Sequence, residues 1–399
     1  MEHGHWTSPD GEGGFGDLAK AERHAIWMLA SQFGGTFETV DGFFCGGGTD
    51  SILMGMWMGR KWLRQYPDPL SRGIVVLTTP IVHYSVMKAV DITDLGRSQT
   101  TECPLCQRAH ILRGDPDGSG MAYVALDEDG RMDTEDLIHV FEMKYQEGFR
   151  RFIVVPTIGT TVLGSVDPIA AIDEVIVHLQ ATTSAHFYVH IDASFGGFTA
   201  PFLDTNAEFG FQNRSVMSMT LDADKMGHLP YPAGVFLCRK GLQRLVARKV
   251  AYIRGHEDDT LQGSRSALAP LIAYDFFQRI GIEGHRAYVQ QCMNVRNHLL
   301  GRLLSIQDPR LSIGPVPSLT NFLPIEVRIE NGEIPHRLRE GEDAPLAPYH
   351  LRSDFVPDGE GVTSCPRVVY KLVIMPHHTK ESVDLFADDL ARVLASEQT

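Results

Sequence analysis

Apolar residues recur along the chain in two rhythms, one helical and one strand-like. In residues 17–33, Leu18, Ala21, Ala25, Ile26 and Leu29 fall on one helical face that stops at Gly34-Gly35, which predicts an amphipathic helix. Ile52, Leu53, Met56, Trp57 and Leu63 predict a second helix, behind a run of three glycines. Residues 73–80 and 152–156 are short, continuously apolar runs that read as buried strands, and 187–192 is another, ending on Asp192. Helical patterns at 135–145 and 169–179 alternate with them, while 96–133 reads as a polar insertion carrying one short strand at 121–125. Two apolar runs flank a turn in 218–238, and helices are expected over 267–279 and 283–304. Beyond them come a strand at 319–329, a polar stretch to about 366, a strand at 368–376 and a helix at 379–395.

Alternating strands and helices imply parallel β-α units with right-handed crossovers, so polar residues at the strand ends gather along one edge of the sheet. The expected fold class is α/β, with a mostly parallel sheet in a large domain and a smaller α+β domain at the C-terminus. The expected division is 1–45 as a Gly-rich arm and helix, 46–282 as the large domain and 283–399 as the small one.

A chain of 399 residues has room for about two or three domains and a large core. Its net charge of −14, without a basic cluster, argues against a nucleic-acid surface. No apolar run reaches the roughly 18 residues of a membrane span, and the N-terminus lacks the regions of a signal peptide, so a cytoplasmic protein that does not bind membrane is expected. Six cysteines are too few and too scattered for a disulfide framework. Cys103-Pro-Leu-Cys106 with His110 lacks a fourth nearby ligand, so no metal is expected there.

Four stretches carry candidate chemistry. Lys225 lies in the turn between two apolar runs, where an ammonium that loses water needs a partner or sheds its proton; it is either a loop lysine in water or a nucleophile toward a carbonyl group. Gly46-Gly47-Gly48-Thr49 opens a helix, so it is either a tight loop or an anion cradle built from free backbone N–H groups. His83 follows a strand, where it either caps the next helix or meets a ligand, and Asp192 ends a strand at the same expected edge.

Taken together and in order, Gly47-Gly48-Thr49-Asp50, His83-Tyr-Ser85, Gly159-Thr160-Thr161, His190-Ile-Asp192-Ala193, Asp222-Ala-Asp224-Lys225 and Gly263-Ser264-Arg265-Ser266 resemble the group II pyridoxal-phosphate-dependent amino-acid decarboxylases. These are fold type I enzymes that include the glutamate, aromatic-amino-acid and tyrosine/aspartate decarboxylases. The resemblance spans about residues 8–395. It implies that Lys225 holds pyridoxal 5'-phosphate by an imine, that Asp192 faces the pyridine nitrogen and that His83 stacks on the ring. Gly47, Gly48 and Thr49 would hold the phosphate, and Thr160, Ala193 and Asp222 would complete the cofactor site. Gly263 and Ser264 would reach the phosphate of a partner subunit, which implies a homodimer with shared sites. Tyr252 stands where family members carry a proton-donating tyrosine, a role left open beside that of a core tyrosine.

The chain departs from the family's pattern at two charged positions. Asp224 replaces the usual histidine before the lysine and is expected to turn away from the phosphate or to pair with a cation. Lys371 replaces the arginine that commonly binds the substrate carboxylate by two prongs, offering only a point charge. The reaction implied is decarboxylation of an L-amino acid to its amine, with aromatic substrates favoured. The alternatives are another reaction of the same cofactor (a C–C lyase, transamination or oxidative deamination) and a catalytically silent partner subunit.

Overall fold

A computed structural model describes residues 16–96, 100–102, 109–111, 120–249, 257–356 and 367–397. In chain order the elements begin with α1 (Gly16–Ser31), β1 (Val40–Cys45), α2 (Gly48–Leu63), β2 (Val75–Thr78) and α3 (Tyr84–Ile92). The hairpin β3 (Thr100–Glu102) and β4 (Ala109–Ile111) follows, then β5 (Gly120–Tyr123), α4 (Thr134–Gln146), β6 (Arg151–Val154), α5 (Ile169–Thr182) and β7 (His186–Ala193). Next are α6 (Ala200–Leu203), β8 (Val216–Asp222), β9 (Gly234–Arg239), β10 (Arg248–Lys249), β11 (Glu257–Asp258) and α7 (Leu268–Leu304). The chain closes with β12 (Leu311–Ile313), β13 (Phe322–Val327), α8 (His336–Arg339), β14 (Ser353–Val356), β15 (Arg367–Val373) and α9 (Lys380–Ser396).

The large sheet has seven strands in the order β1-β9-β8-β7-β6-β2-β5. Strands β8, β7, β6, β2 and β5 run parallel, β9 is antiparallel to β8, and β1 is antiparallel to β9, so β9 alone opposes the rest. Successive residues of a strand face opposite sides of a sheet, and here both sides are covered. Val75, Leu77, Phe152, Val154, Val235 and Leu237 enter one apolar cluster with α1, α4, α5 and the first part of α7. Val76, Ile153, Phe236 and Cys238 enter the other, with α2 and α3. This double burial explains why the central strands read as continuous apolar runs instead of alternating ones.

A second, antiparallel sheet orders as β12-β13-β15-β14 and buries its own cluster against the end of α7 and α9, with Leu299, Leu323, Tyr370, Phe386 and Leu390 at its centre. The expected pair of helices at 267–279 and 283–304 forms one element, α7, broken at Gly281, whose φ of 67° lies outside the helical range. β1, a segment with no predicted element, is an edge strand of the large sheet.

The central strands also position a polar group beneath α2. His190 on β7 is wholly buried; its Nδ1 pairs with the Ser218 hydroxyl at 2.7 Å and its Nε2 with the Thr220 hydroxyl at 3.0 Å. A side chain at Gly55 of α2 would overlap the imidazole, so glycine there sets the approach of helix to sheet. Burial, only partly opposed by Asp192, pushes the His190 pKa down to about 4. The folded protein thus binds this proton less readily than the unfolded chain, so the stabilising contribution is complete above about pH 6.5 and disappears as pH falls toward 4. Wild type is therefore expected to lose about 3 kcal/mol of its advantage over His190→Asn between pH 7 and pH 4, read from urea midpoints at the two pH values. A constant difference would mean that the ring titrates normally.

Candidate active site

Three segments meet at the C-terminal edge of the parallel strands. β7 delivers Asp192, the end of β8 delivers Asp222 and the turn that follows delivers Lys225, and α2 begins between them. Gly47, the residue before α2, has φ 131° and ψ 174° and provides no side-chain cap, leaving the first-turn N–H groups without one. A Cβ on Gly48 would lie 2.9 Å from Asp222 Oδ2 and 3.0 Å from Ser194 Oγ, so the glycine permits this close approach. Gly234, at the start of β9, packs directly on the backbone of Gly47.

The Lys225 ammonium lies 3.1 Å from Asp222 Oδ2. That single contact does not settle the carboxylate. Burial, opposed by Lys225 but reinforced by Asp224 and Asp192, pushes the Asp222 pKa up to about 6, and its Oδ1 is sealed from solvent without a hydrogen-bond partner among the described residues. Asp192 is held differently. Its Oδ1 accepts from the Ser194 hydroxyl at 2.6 Å and the Ser194 N–H at 3.1 Å, while Oδ2 has no hydrogen-bond partner among the described residues.

His83 follows β2 and caps α3: its Nδ1 lies 2.7 Å from the Ser85 hydroxyl and accepts weakly from the Ser85 N–H at 3.4 Å. The capping reading of this histidine holds, and the ring also lies in the electrostatic field of Asp192, Lys225 and Lys371. Burial lowers its pKa, with Asp192 opposing and Lys225, Lys371 and Lys88 adding to the effect, so the ring is neutral at pH 7.

Asp224 turns to the backbone, accepting from the Ala233 N–H at 2.8 Å with Oδ2. Thr160 is buried and its hydroxyl is engaged by Ser165, at 2.7 Å from the Ser165 hydroxyl and 3.1 Å from its N–H. Thr49 is exposed in the first turn of α2, and Ala193 is buried beside Asp192. Gly263 and Ser264 form the exposed tip of a loop pinned on either side. Gln262 donates to Asp50 at 2.5 Å, and Arg265 forms a buried ion pair with Glu22 at 2.5 Å. Tyr252, Cys103 and Cys106 lie outside the described residues.

Two functional candidates escaped sequence reading. Ser194 had a local signal, since Asp-x-Ser places a hydroxyl within reach of the preceding carboxylate. Asp354 had none; it lies on β14 beside β15 and its Oδ2 is 2.8 Å from the Lys371 ammonium.

An amine beside an acid, a second acid at a strand end, a neutral imidazole and an uncapped helix start suit a phosphorylated aldehyde carried on a ring with a basic nitrogen. The orphaned Asp222 oxygen and the space that Gly48 leaves between Asp222 and Ser194 are consistent with such a group. The fold and site are those of a pyridoxal-phosphate enzyme of fold type I.

The family model described as "Pyridoxal-dependent decarboxylase conserved domain" matches residues 24–313, and the chain belongs to that family. The chain is 28% identical over 385 residues to a probable L-tyrosine/L-aspartate decarboxylase of Methanothrix thermoacetophila, covering 96% of this chain and 83% of that one. It is 26% identical over 380 residues to a tryptophan decarboxylase of Clostridium sporogenes, covering 95% and 79%. Among solved structures, a glutamate decarboxylase of Lactobacillus brevis superposes with a TM-score of 0.76 at 18% identity, covering 96% of this chain and 82% of that one. The reaction is pyridoxal-phosphate-dependent decarboxylation of an amino acid.

Proposed function

We propose that the chain decarboxylates an aromatic L-amino acid as a homodimer in the cytoplasm. When bound, the cofactor supplies an electron sink for the bond pair that remains as CO2 departs. Lys225 is the attachment point and Asp222 fixes its amine. Asp192, oriented by Ser194, keeps the ring nitrogen protonated; His83 offers a neutral face to the ring; Gly47, Gly48 and Thr49 receive the phosphate with the free N–H groups of α2. In this reading Thr160 and Ala193 support the site from beneath, and Tyr252 returns a proton to the substrate carbon. The exposed Gly263-Ser264 tip, stiffened by the Gln262 and Arg265 contacts, serves the partner's site. We also propose a large cofactor-binding unit ending near the break at Gly281 and a small unit from 283 onward.

The observation that carries the choice of substrate is Asp354. Lys371 is the proposed anchor of the substrate carboxylate, and its charge is already shared with Asp354 at 2.8 Å. With Asp354 already beside this anchor, each added carboxylate raises the negative charge around it, so a substrate with two carboxylates, such as aspartate, is disfavoured relative to one with a single carboxylate. Relatives are named for tyrosine, tryptophan and aspartate decarboxylation, and this pair favours the aromatic substrates among those names.

Carboxyl-labelled L-tyrosine, L-tryptophan and L-aspartate test the reading through released CO2. The aromatic substrates should exceed aspartate by at least tenfold in kcat/KM, and Asp354→Asn should narrow that gap. Lys371→Met should raise KM for all of them roughly 10- to 100-fold, the worth of one charged hydrogen bond. Aspartate as the fastest substrate of the wild type would overturn the assignment.

A further inference from the structure

The opposite edge of the large sheet holds a charge arrangement that the decarboxylation site does not use. A pocket of about 530 Å³ opens there between the C-terminal end of α2, the loop leading into β2, the end of α3 and the start of β6. Among the described residues its lining includes Arg60, Arg64, Arg72 and Arg151 against two acids, Asp68 and Asp94. In a chain of net charge −14, four guanidinium groups around one concavity stand against the overall balance.

The two acids offset the group only in part. Asp68 is taken up locally: its carboxylate accepts from the N–H of Arg72 at 3.1 Å and of Gly73 at 2.9 Å, and from Arg151 at 3.4 Å. Asp94 meets Arg60 at 3.5 Å, but its side chain is 90% exposed, where an ion pair contributes little. Arg64 and Arg72 have no ion-pair partner among the described residues. Arg60 is mostly buried, its Nε is sealed from water without a hydrogen-bond partner among the described residues, and burial together with Arg64 lowers its pKa.

Basic residues at the end of α2 are favoured by the helix dipole, which accounts for Arg60 and Arg64 standing there. It does not account for Arg72 and Arg151, which arrive from other segments, nor for the unpartnered Arg60 nitrogen. Arg151 is held in place by Tyr66 and Asp68, its Nε donating to the Tyr66 carbonyl at 3.1 Å, a second guanidinium nitrogen to the same oxygen and the third to Asp68 at 3.4 Å, so it contributes charge to the pocket from a fixed position. Guanidinium groups so arranged match the geometry of a phosphate.

We propose that this pocket binds a small, multiply charged anion of the phosphate type through Arg60, Arg64, Arg72 and Arg151. The site is separate from the cofactor cradle: α2 begins at that cradle and ends at this pocket, and its 16 residues span about 24 Å. The anion comes either as a free phosphate species or as the phosphate chain of a nucleotide, and both place the same groups against the arginines.

Calorimetric titration of the holoenzyme, whose cofactor cradle is filled, with pyrophosphate and separately with ATP decides the matter. Saturable binding at one site per chain is expected, weakened at least tenfold in the Arg64→Ser/Arg72→Ser double variant. Both side chains are exposed, so the variant should fold and retain its basal decarboxylase activity. ATP binding at least tenfold tighter than pyrophosphate would identify a nucleotide as the source; equal affinities would identify the phosphate groups alone. Absence of saturable heat with both probes up to 10 mM at constant ionic strength, or equal binding by the double variant, would overturn the proposal.

Discussion

Lys225→Ala and Lys225→Arg are both expected to lose decarboxylase activity by on the order of 10⁴-fold or more, because neither retains the amine proposed as the cofactor's attachment point. They should differ in stability. Arginine keeps a cation beside Asp222, whereas alanine leaves that carboxylate with its Oδ1 already unpartnered and its Oδ2 stripped of the contact at 3.1 Å. Loss of the Lys225 cation that opposes the rise in the Asp222 pKa, with Asp224 and Asp192 still nearby, should raise that value beyond about 6. A carboxyl group that binds its proton more tightly folded than unfolded contributes stability below its unfolded pKa, and that contribution fades as pH rises through the folded value. The alanine variant should therefore be destabilised by about 1–3 kcal/mol, with a larger deficit at pH 8 than at pH 5. Urea midpoints of the cofactor-free proteins measure this. Borohydride reduction followed by peptide mass measurement should find the cofactor fixed to the wild-type peptide bearing Lys225 and to neither variant. Retention of more than a hundredth of the activity by the arginine variant would place the nucleophile elsewhere.

What the sequence disclosed follows from where the physical signals are local. The strands at 75–78 and 151–154 are buried on both faces, so their composition alone marks them, and the residues at their ends converge because parallel strands share one C-terminal edge. Asp222 and Lys225 stand three residues apart, close enough to pair through one turn. β1 was hidden because Val40–Cys45 carries an aspartate and a glycine, and what makes it a strand is its pairing with β9, some 200 residues away in the chain. β14 was hidden for a similar reason: four residues within a polar stretch become a strand only against β15. Asp354 arrives with that strand, so nothing in its neighbourhood announced that it would balance Lys371. Asp224 was visible as an intruding charge, and its resolution through the Ala233 N–H depended on how the turn closes onto β9.

Asp192→Asn should lower kcat roughly 100- to 1000-fold, the range found when one preorganised electrostatic contact to developing charge is removed, while leaving the fold intact. Asparagine has the shape to accept the Ser194 hydrogen bonds that now hold Oδ1 at 2.6 and 3.1 Å, so the change removes the charge and little of the geometry. In the proposed reading, loss of that charge leaves the ring nitrogen without the carboxylate that keeps it protonated, and electron withdrawal from the breaking bond weakens. Ser194→Ala provides the complementary case: the charge stays, but its orientation is lost, so a smaller fall, on the order of tenfold, is expected. The pH profile separates the two. In Asp192→Asn, residual activity should rise as pH falls, because acid restores the ring proton that the carboxylate no longer secures; in Ser194→Ala the profile should keep the wild-type shape. Equal losses and superimposable profiles for the two variants would show that Asp192 acts through the local turn and not through its charge.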